Sequence, residues 1–350
     1  MAAPEDLRDV VLQAERAVSS AIFSTGGGEA LRSAAAAARE GKRAAAVIAP
    51  DELLGAIDAL HDVAHARAPI VVHVVAGPST GGEGSAPGRD EIAPALDTGA
   101  GVLVAWSAQE SIDLALAARR AAEDAETPFV VVTDGGGPVM ALPGSGLVGK
   151  FLGASPLSVQ RGAEGAGPHE HKRRERSYAA RAPFALASAM RELGELTGRP
   201  LSPIERYQTA DAEEVVVAVG QAFTAARSAA EAMRREGRRV GAIGVRVLRP
   251  FFPAELVKAV ARARAVAVIE PLDVALAPAG PLATALKAAF ADALTWAPGF
   301  PGVGHIPPIV SVVFATIEGA VAERDVREAL AELGAGDRAR RIIVFGSDAS

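Results

Sequence analysis

Cysteine is absent from all 350 residues. That excludes disulfides, thiolate zinc sites, a cysteine nucleophile and any iron–sulfur cluster ligated by this chain. Aromatic residues are scarce at 4%, so the cores have to be packed from Ala, Val, Leu and Ile. A positive excess is missing too: the formal net charge is −6, which weighs against a nucleic-acid surface. Long hydrophobic runs are lacking. Runs such as 69–76, 129–132 and 215–219 are strand-sized and fall short of the roughly 18 residues a membrane helix needs. The opening MAAPEDLRDVVLQAERAV carries acids where a signal peptide needs a basic segment, so a soluble, cytoplasmic protein is expected. What remains is 49% hydrophobic and 22% charged, the balance of a core-forming globular chain. Its length points to two domains.

Short β-branched runs alternate with Ala-rich helical stretches, the pattern of an α/β fold with mainly parallel sheets. Strands are predicted at Ala44–Ile48, Ile70–Val75, Gly101–Ala105 and Phe129–Thr133. A helix is predicted from Asp51, as N-cap, through His65, and another over Ser107–Glu126 opened by a Ser107/Glu110 capping box. Arg161–Arg176, rich in glycine and charge, reads as loop, followed by a helix from about Pro183 to Leu196. A second α/β series follows, with strands at Val215–Val219, Val240–Arg246 and Ala265–Ile269. The expected division is 1–150, a linker with connecting helix over 151–204, and 205–350.

Chemistry is sought where strands end. The glycine-rich run 77–88, GPSTGGEGSAPG, directly follows a strand and reads either as a backbone cradle for phosphate or as a glycine lid. It lacks the Gly-Lys-Ser/Thr of a phosphate loop. Gly26-Gly27-Gly28-Glu29 opens an Ala-rich helix, where a glutamate also satisfies the helix dipole. Asp134 is a strand-end carboxylate, a ligand group or a turn former. His169 and His171 sit in a charged glycine-rich run and are read as solvated, not as metal ligands. His61 and His65 share a helix face without the acid pattern of a zinc site and read as surface or interface residues.

Longer stretches carry a resemblance. Residues 59–76 (ALHDVAHARAPIVVHVVA), 97–116 (DTGAGVLVAWSAQESIDLAL) and 127–135 (TPFVVVTDG) are similar to the pyrimidine-binding domain of pyruvate:ferredoxin and related 2-oxoacid:ferredoxin oxidoreductases. Residues 196–199, 211–220 (DAEEVVVAVG) and 237–251 (GRRVGAIGVRVLRPF) resemble core domain II of that family. The chain thus resembles an alpha-type subunit, with a transketolase-like pyrimidine domain followed by a transketolase C-terminal-like domain.

The resemblance implies thiamine diphosphate, shared with a partner subunit, and a glutamate that hydrogen-bonds its aminopyrimidine ring. Glu29 is the matching position, as both the catalytic and the cofactor-binding residue. It further implies a substrate loop, assigned to Gly77, Ser79, Thr80 and Arg89. Partner chains would supply the diphosphate site and the iron–sulfur clusters, with ferredoxin or flavodoxin as an indirect partner and a hetero- or homo-oligomer as the assembly. No metal ligand, nucleic acid or membrane is implied for this chain. Three departures stand out. The family's Tyr-Pro-Ile-Thr-Pro segment is missing from 1–25, Gly77 stands where the family carries a carboxylate-binding arginine, and the Gly-Asp-Gly diphosphate motif is absent. They keep a second reading open, a non-catalytic scaffold or regulatory paralogue that has lost the substrate groups.

Overall fold

A computed structural model describes residues 7–75, 92–153, 168–270, 276–314, 321–333 and 342–345, with 168–178, 313–314 and 342–345 described by backbone alone. The chain divides into two compact units. The first comprises 1–82, 94–202 and 247–250, and the second holds 83–93, 203–246 and 251–350.

The first part of the chain runs α1 (Leu7–Arg16), β1 (Ala21–Phe23), α2 (Gly28–Arg39), β2 (Ala44–Ile48), α3 (Pro50–Leu54), α4 (Ile57–His65) and β3 (Val71–Val75). It continues through α5 (Ile92–Ala95), β4 (Gly101–Ala105), α6 (Ala108–Ala125), β5 (Phe129–Thr133), α7 (Ser145–Leu152) and α8 (Pro168–Thr197). Strands β2 to β5 are buried at every position, as unbroken β-branched and Ala runs demand of a sheet covered on both faces. They pair in parallel in the order β1-β2-β3-β5-β4.

The second part opens with β6 (Ile204–Tyr207), β7 (Glu214–Val219), α9 (Ala222–Arg235) and β8 (Val240–Val245). Then β9 (Val247–Arg249) pairs antiparallel with β4 and becomes the edge of the first sheet. After it come α10 (Pro253–Val260), β10 (Ala265–Glu270), α11 (Pro281–Leu294), β11 (Ile309–Phe314), α12 (Glu323–Leu333) and β12 (Ile342–Phe345). The second sheet is ordered β12-β11-β10-β7-β8-β6, parallel except for β6. Beside the aliphatic residues, Phe129, Phe151, Phe223 and Phe290 are fully buried, whereas Phe184 and Trp296 are exposed.

Helix α6 is the hub of the first unit: sixteen of its eighteen residues are buried. Six of the buried ones are polar, and five of these are each tied to a different element. Gln109 accepts from the N–H groups of Met140 and Ala141 at 2.8 Å. Glu110 accepts from Trp106 N–H at 2.9 Å. Asp113 holds Arg199 in a two-pronged pair at 2.7 Å. Arg119 reaches Glu15 of α1, and Glu123 pairs with Arg43 at 2.8 and 3.2 Å. Arg43 also donates to the carbonyls of Leu152 and Gly153, anchoring the end of α7. Most buried polar groups are partnered in this way, and on this helix the Ser111 hydroxyl, with no partner among the described residues, is the exception.

Four local expectations need correcting. The helix expected over Asp51–His65 is two helices interrupted around Gly55. Its N-cap is Ala49, whose N–H is taken by Glu52 at 2.7 Å, and not Asp51. In the capping box, Ser107 accepts from Glu110 N–H at 3.2 Å, but Glu110 reaches back to Trp106, one residue earlier than expected. The charged half of Arg161–Arg176 is helical from Pro168, because Glu, Lys and Arg are good helix formers without any apolar stripe. Pro183 therefore lies inside a 30-residue helix and does not start one. The expected linker and connecting helix, as far as Ser202, fall within the first unit, as does β9.

In the second unit, β10 ends at Glu270, which is fully buried. Its carboxylate accepts from the N–H groups of Leu282 and Ala283 at 2.8 and 3.1 Å and so caps α11. Gly280 leaves the room, since a Cβ there would overlap that carboxylate. Burial pushes the Glu270 carboxyl up to about 7, against the pull of the two backbone bonds and Lys287.

Candidate active site

Because β1 to β5 are parallel, the loops following them gather at one edge of the first sheet, where open α/β sheets bind ligands. Two described segments meet the requirement for close backbone packing there. After β1 the chain turns through Gly26 (φ 79°) and Gly27 (φ 41°), a left-handed path that glycine takes without strain. A Cβ on Gly27 would stand 3.0 Å from the carbonyl oxygen of Glu52. After β5, a Cβ on Gly135 would overlap the carbonyl of Trp106, so the ends of β4 and β5 close on each other only over a glycine. Asp134, next to it, is buried, and its N–H bonds the carbonyl of Ala105 at 2.9 Å.

Glu29 is the second residue of α2, directly at this edge. Its N–H closes the turn onto the carbonyl of Gly26 at 2.8 Å. Its side chain is exposed, and Oε2 lies 3.6 Å from where a Cβ on Gly26 would stand. Among the described residues no hydrogen bond to its carboxylate is recorded. The carboxylate therefore overhangs the glycine turn with its acceptor positions open. Arg8 of α1 steadies the same turn by donating to the carbonyls of Ser24 at 2.9 Å and Val47 at 3.1 Å, the ends of β1 and β2. Gly77, Ser79, Thr80 and Arg89 belong to 76–91 and lie outside the described residues.

Beneath the edge lies a charge cluster that sequence reasoning missed. His73, in the middle of β3, places Nε2 2.8 Å from Glu15 Oε1. Arg119 approaches Glu15 Oε2 at 3.2 Å and donates to Ser19 Oγ at 3.0 Å and to the carbonyl of Ala44 at 2.5 Å. All three side chains are buried. Burial works to raise the Glu15 carboxyl, yet Arg119, His73 and the Ser19 hydroxyl together hold it down at about 2. Glu15 is thus a permanent anion that pins α1 to β3 and α6. The one signal available was the polar residue interrupting the apolar strand VVHVV.

Comparison with known proteins places these elements in context. Residues 26–137 match the thiamine diphosphate-binding domain of pyruvate flavodoxin/ferredoxin oxidoreductase, and 212–300 match pyruvate:ferredoxin oxidoreductase core domain II. The chain is 28% identical over 279 residues to the pyruvate synthase subunit PorA of Thermotoga maritima, covering 74% of this chain and 71% of that one. To the PorA subunit of Methanothermobacter thermautotrophicus it is 35% identical over 107 residues, 31% of this chain and 28% of the relative. A 2-oxoglutarate:ferredoxin oxidoreductase from Magnetococcus marinus, solved with 2-oxoglutarate, coenzyme A and succinyl-CoA, shares the fold with a TM-score of 0.61 at 15% identity. That match covers 94% of this chain and 64% of the other. Part of each of these proteins therefore has no counterpart in the matched region. The glycine turn and Glu29 fall inside the first matched domain.

Proposed function

The chain is a member of the 2-oxoacid:ferredoxin oxidoreductase family, of the alpha-subunit type, and on that premise we propose that it serves thiamine-dependent oxidative decarboxylation. The substrate is a pyruvate-like 2-oxoacid, and the chain works only with partner subunits. The observation that carries this reading is Glu29, a carboxylate with open acceptor positions over a bare glycine turn at the ligand edge of the sheet.

That arrangement fits an aminopyrimidine ring, which needs one carboxylate beside a ring nitrogen and close backbone approach. When bound, thiamine diphosphate supplies the carbon nucleophile and the electron sink for decarboxylation. Glu29 holds the proton at the ring nitrogen. The glycine turn lets the backbone approach without a Cβ in the way, and Arg8 keeps the ends of β1 and β2 fixed while Glu29 works. The substrate loop is assigned to Gly77, Ser79, Thr80 and Arg89, with Arg89 as the one cation among them for a 2-oxoacid carboxylate. The diphosphate half of the site and the iron–sulfur relay belong to partner chains, since this chain has no cysteine to hold a cluster. Electrons then leave through those chains to ferredoxin or flavodoxin, in the cytoplasm.

The scaffold reading draws on the glycine at position 77 in place of an arginine clamp and on the missing threonine segment in 1–25. Purifying the native complex decides between the two. Thiamine diphosphate in stoichiometric amount, with pyruvate-dependent reduction of a viologen dye, is the expected result. A complex that contains this chain but neither thiamine nor 2-oxoacid activity would hand the function to the scaffold reading.

A further inference from the structure

The first sheet has a second edge. At the N-terminal ends of β4 and β5 a cleft of about 240 Å³ opens within the first unit. It is lined by the last turns of α4, the entries to β4 and β5, part of α8 and the end of β9. Ala64, Leu96, Phe129 and Pro250 give it an apolar part, and His61, His65, Arg67 and Arg249 a basic one. The five-residue strands separate this edge from the one carrying the glycine turn by roughly 15 Å.

Helices α4 and α6 both end beside this cleft in the same unusual way. Each closes on a left-handed residue, a position where glycine is the default. Here the two residues are Arg67 (φ 53°) and Glu126 (φ 48°). The closing bonds run from Ala68 N–H to Val63 at 3.2 Å and from Thr127 N–H to Ala122 at 3.3 Å. The chain thus keeps two long charged side chains where a bare backbone would be less strained, and the pair meets at 3.5 Å with each only 14% exposed. Burial pushes the Glu126 carboxyl up, against the pull of Arg67 and Arg181. Arg249 is held in place by donating to the carbonyls of Leu96 at 3.1 Å and Leu248 at 2.9 Å. Its carboxylate neighbour, Asp97, stands back at 3.8 Å and is 89% exposed.

We propose that this cleft is a binding site for a small organic anion, distinct from the edge that carries Glu29. Two guanidinium groups and two imidazoles one helical turn apart recognise an oxyanion head, carboxylate or phosphate. The apolar part takes a short carbon body. The volume lies at the small end of ligand pockets, which restricts the ligand to a compact metabolite.

Calorimetric titration of the full chain tests the site with glycerol 3-phosphate, glutarate and inorganic phosphate, and with neutral glycerol as control. Saturable binding of at least one anion, and none of glycerol, is expected. The stronger of the phosphate ester and the dicarboxylate identifies the head group. The double variant His61→Asn/His65→Asn changes exposed positions on α4 and should keep its melting temperature while weakening binding about tenfold or more. Arg249→Gln should do the same. Should it fail to fold, the histidine variant decides alone. The proposal is overturned if no anion saturates the chain at millimolar concentration, or if the folded histidine variant binds as tightly as the parent.

Discussion

Two glutamates stand at helix N-termini here, and their surroundings give them opposite properties. Glu29 is exposed at the start of α2, so as a structural residue it contributes no more than the few tenths to about 1 kcal/mol of a dipole interaction. In its proposed role, as the acid beside a pyrimidine ring, it would support a rate. Glu29→Gln should therefore leave thermal stability nearly unchanged while activity of the assembled complex falls by roughly 10²–10⁴-fold. Full activity in that variant would reduce Glu29 to a helix-start residue. Glu270 is the reverse case, sealed under α11 with its carboxyl raised to about 7. In the unfolded chain it titrates near the ordinary 4.5, so between about pH 4.5 and 7 the folded state holds a proton that the unfolded state has released. Stability from this group is complete below pH 4.5 and declines as pH rises to about 7, by about 3 kcal/mol in all. Urea titrations of Glu270→Gln against the parent across that range should show the slope vanish in the variant, and parallel slopes would refute the assignment. Glycines are as unequal. Gly135→Ala forces a methyl into the Trp106 carbonyl and should cost about 1–3 kcal/mol, whereas Gly136→Ala meets nothing within 4 Å and should be neutral.

At the scale of elements, burial of charge is what organises α6. Removing the Glu123 carboxylate would strand Arg43, which is 8% exposed, inside the unit. Glu123→Ala should lower the unfolding free energy by about 3–5 kcal/mol, the usual consequence of leaving one buried partner uncompensated. A chemical denaturation curve shifted by less than about 1 kcal/mol would mean that water or another group replaces the acid. The same helix shows which parts of the fold can be read in advance. Strands β2 to β5 are legible because burial on both faces writes an unbroken apolar run, and Ser107 is legible as a cap because its partner is three residues away. The charged start of α8 is not, since it carries no apolar period. Nor are the three-residue strands β1 and β9, which are too short to show one. The Glu15 cluster is invisible for another reason. Its partners lie 58 and 104 residues along the chain, a distance that no local pattern spans. The proposal for Glu29 rests on long stretches of similarity to a family, because a lone glutamate at a helix start carries no signal of its own.

At the scale of the molecule, the division into two units is not a division of the chain into two halves. The first unit requires residues 247–250 from beyond most of the second unit's opening strands. A chain cut after Ser202 would expose the hydrogen-bonding edge of β4, which β9 otherwise covers, and should self-associate on gel filtration where the full chain stays discrete. A monodisperse, cooperatively folding 1–202 fragment would show that the edge is tolerable without its cover.

The detour through β9 also sets an order of events during synthesis. Domains ordinarily fold as units while the ribosome is still translating, the earlier one first. Here the earlier sheet has to wait with an open flank while β6, β7, α9 and β8 are made, and it closes only when Val247–Arg249 arrives. At roughly 5–20 residues per second, that leaves the flank unpaired for several seconds after the end of α8 emerges. Chaperones act on such transiently open species, so the yield of native chain should depend on them more than the final stability would suggest.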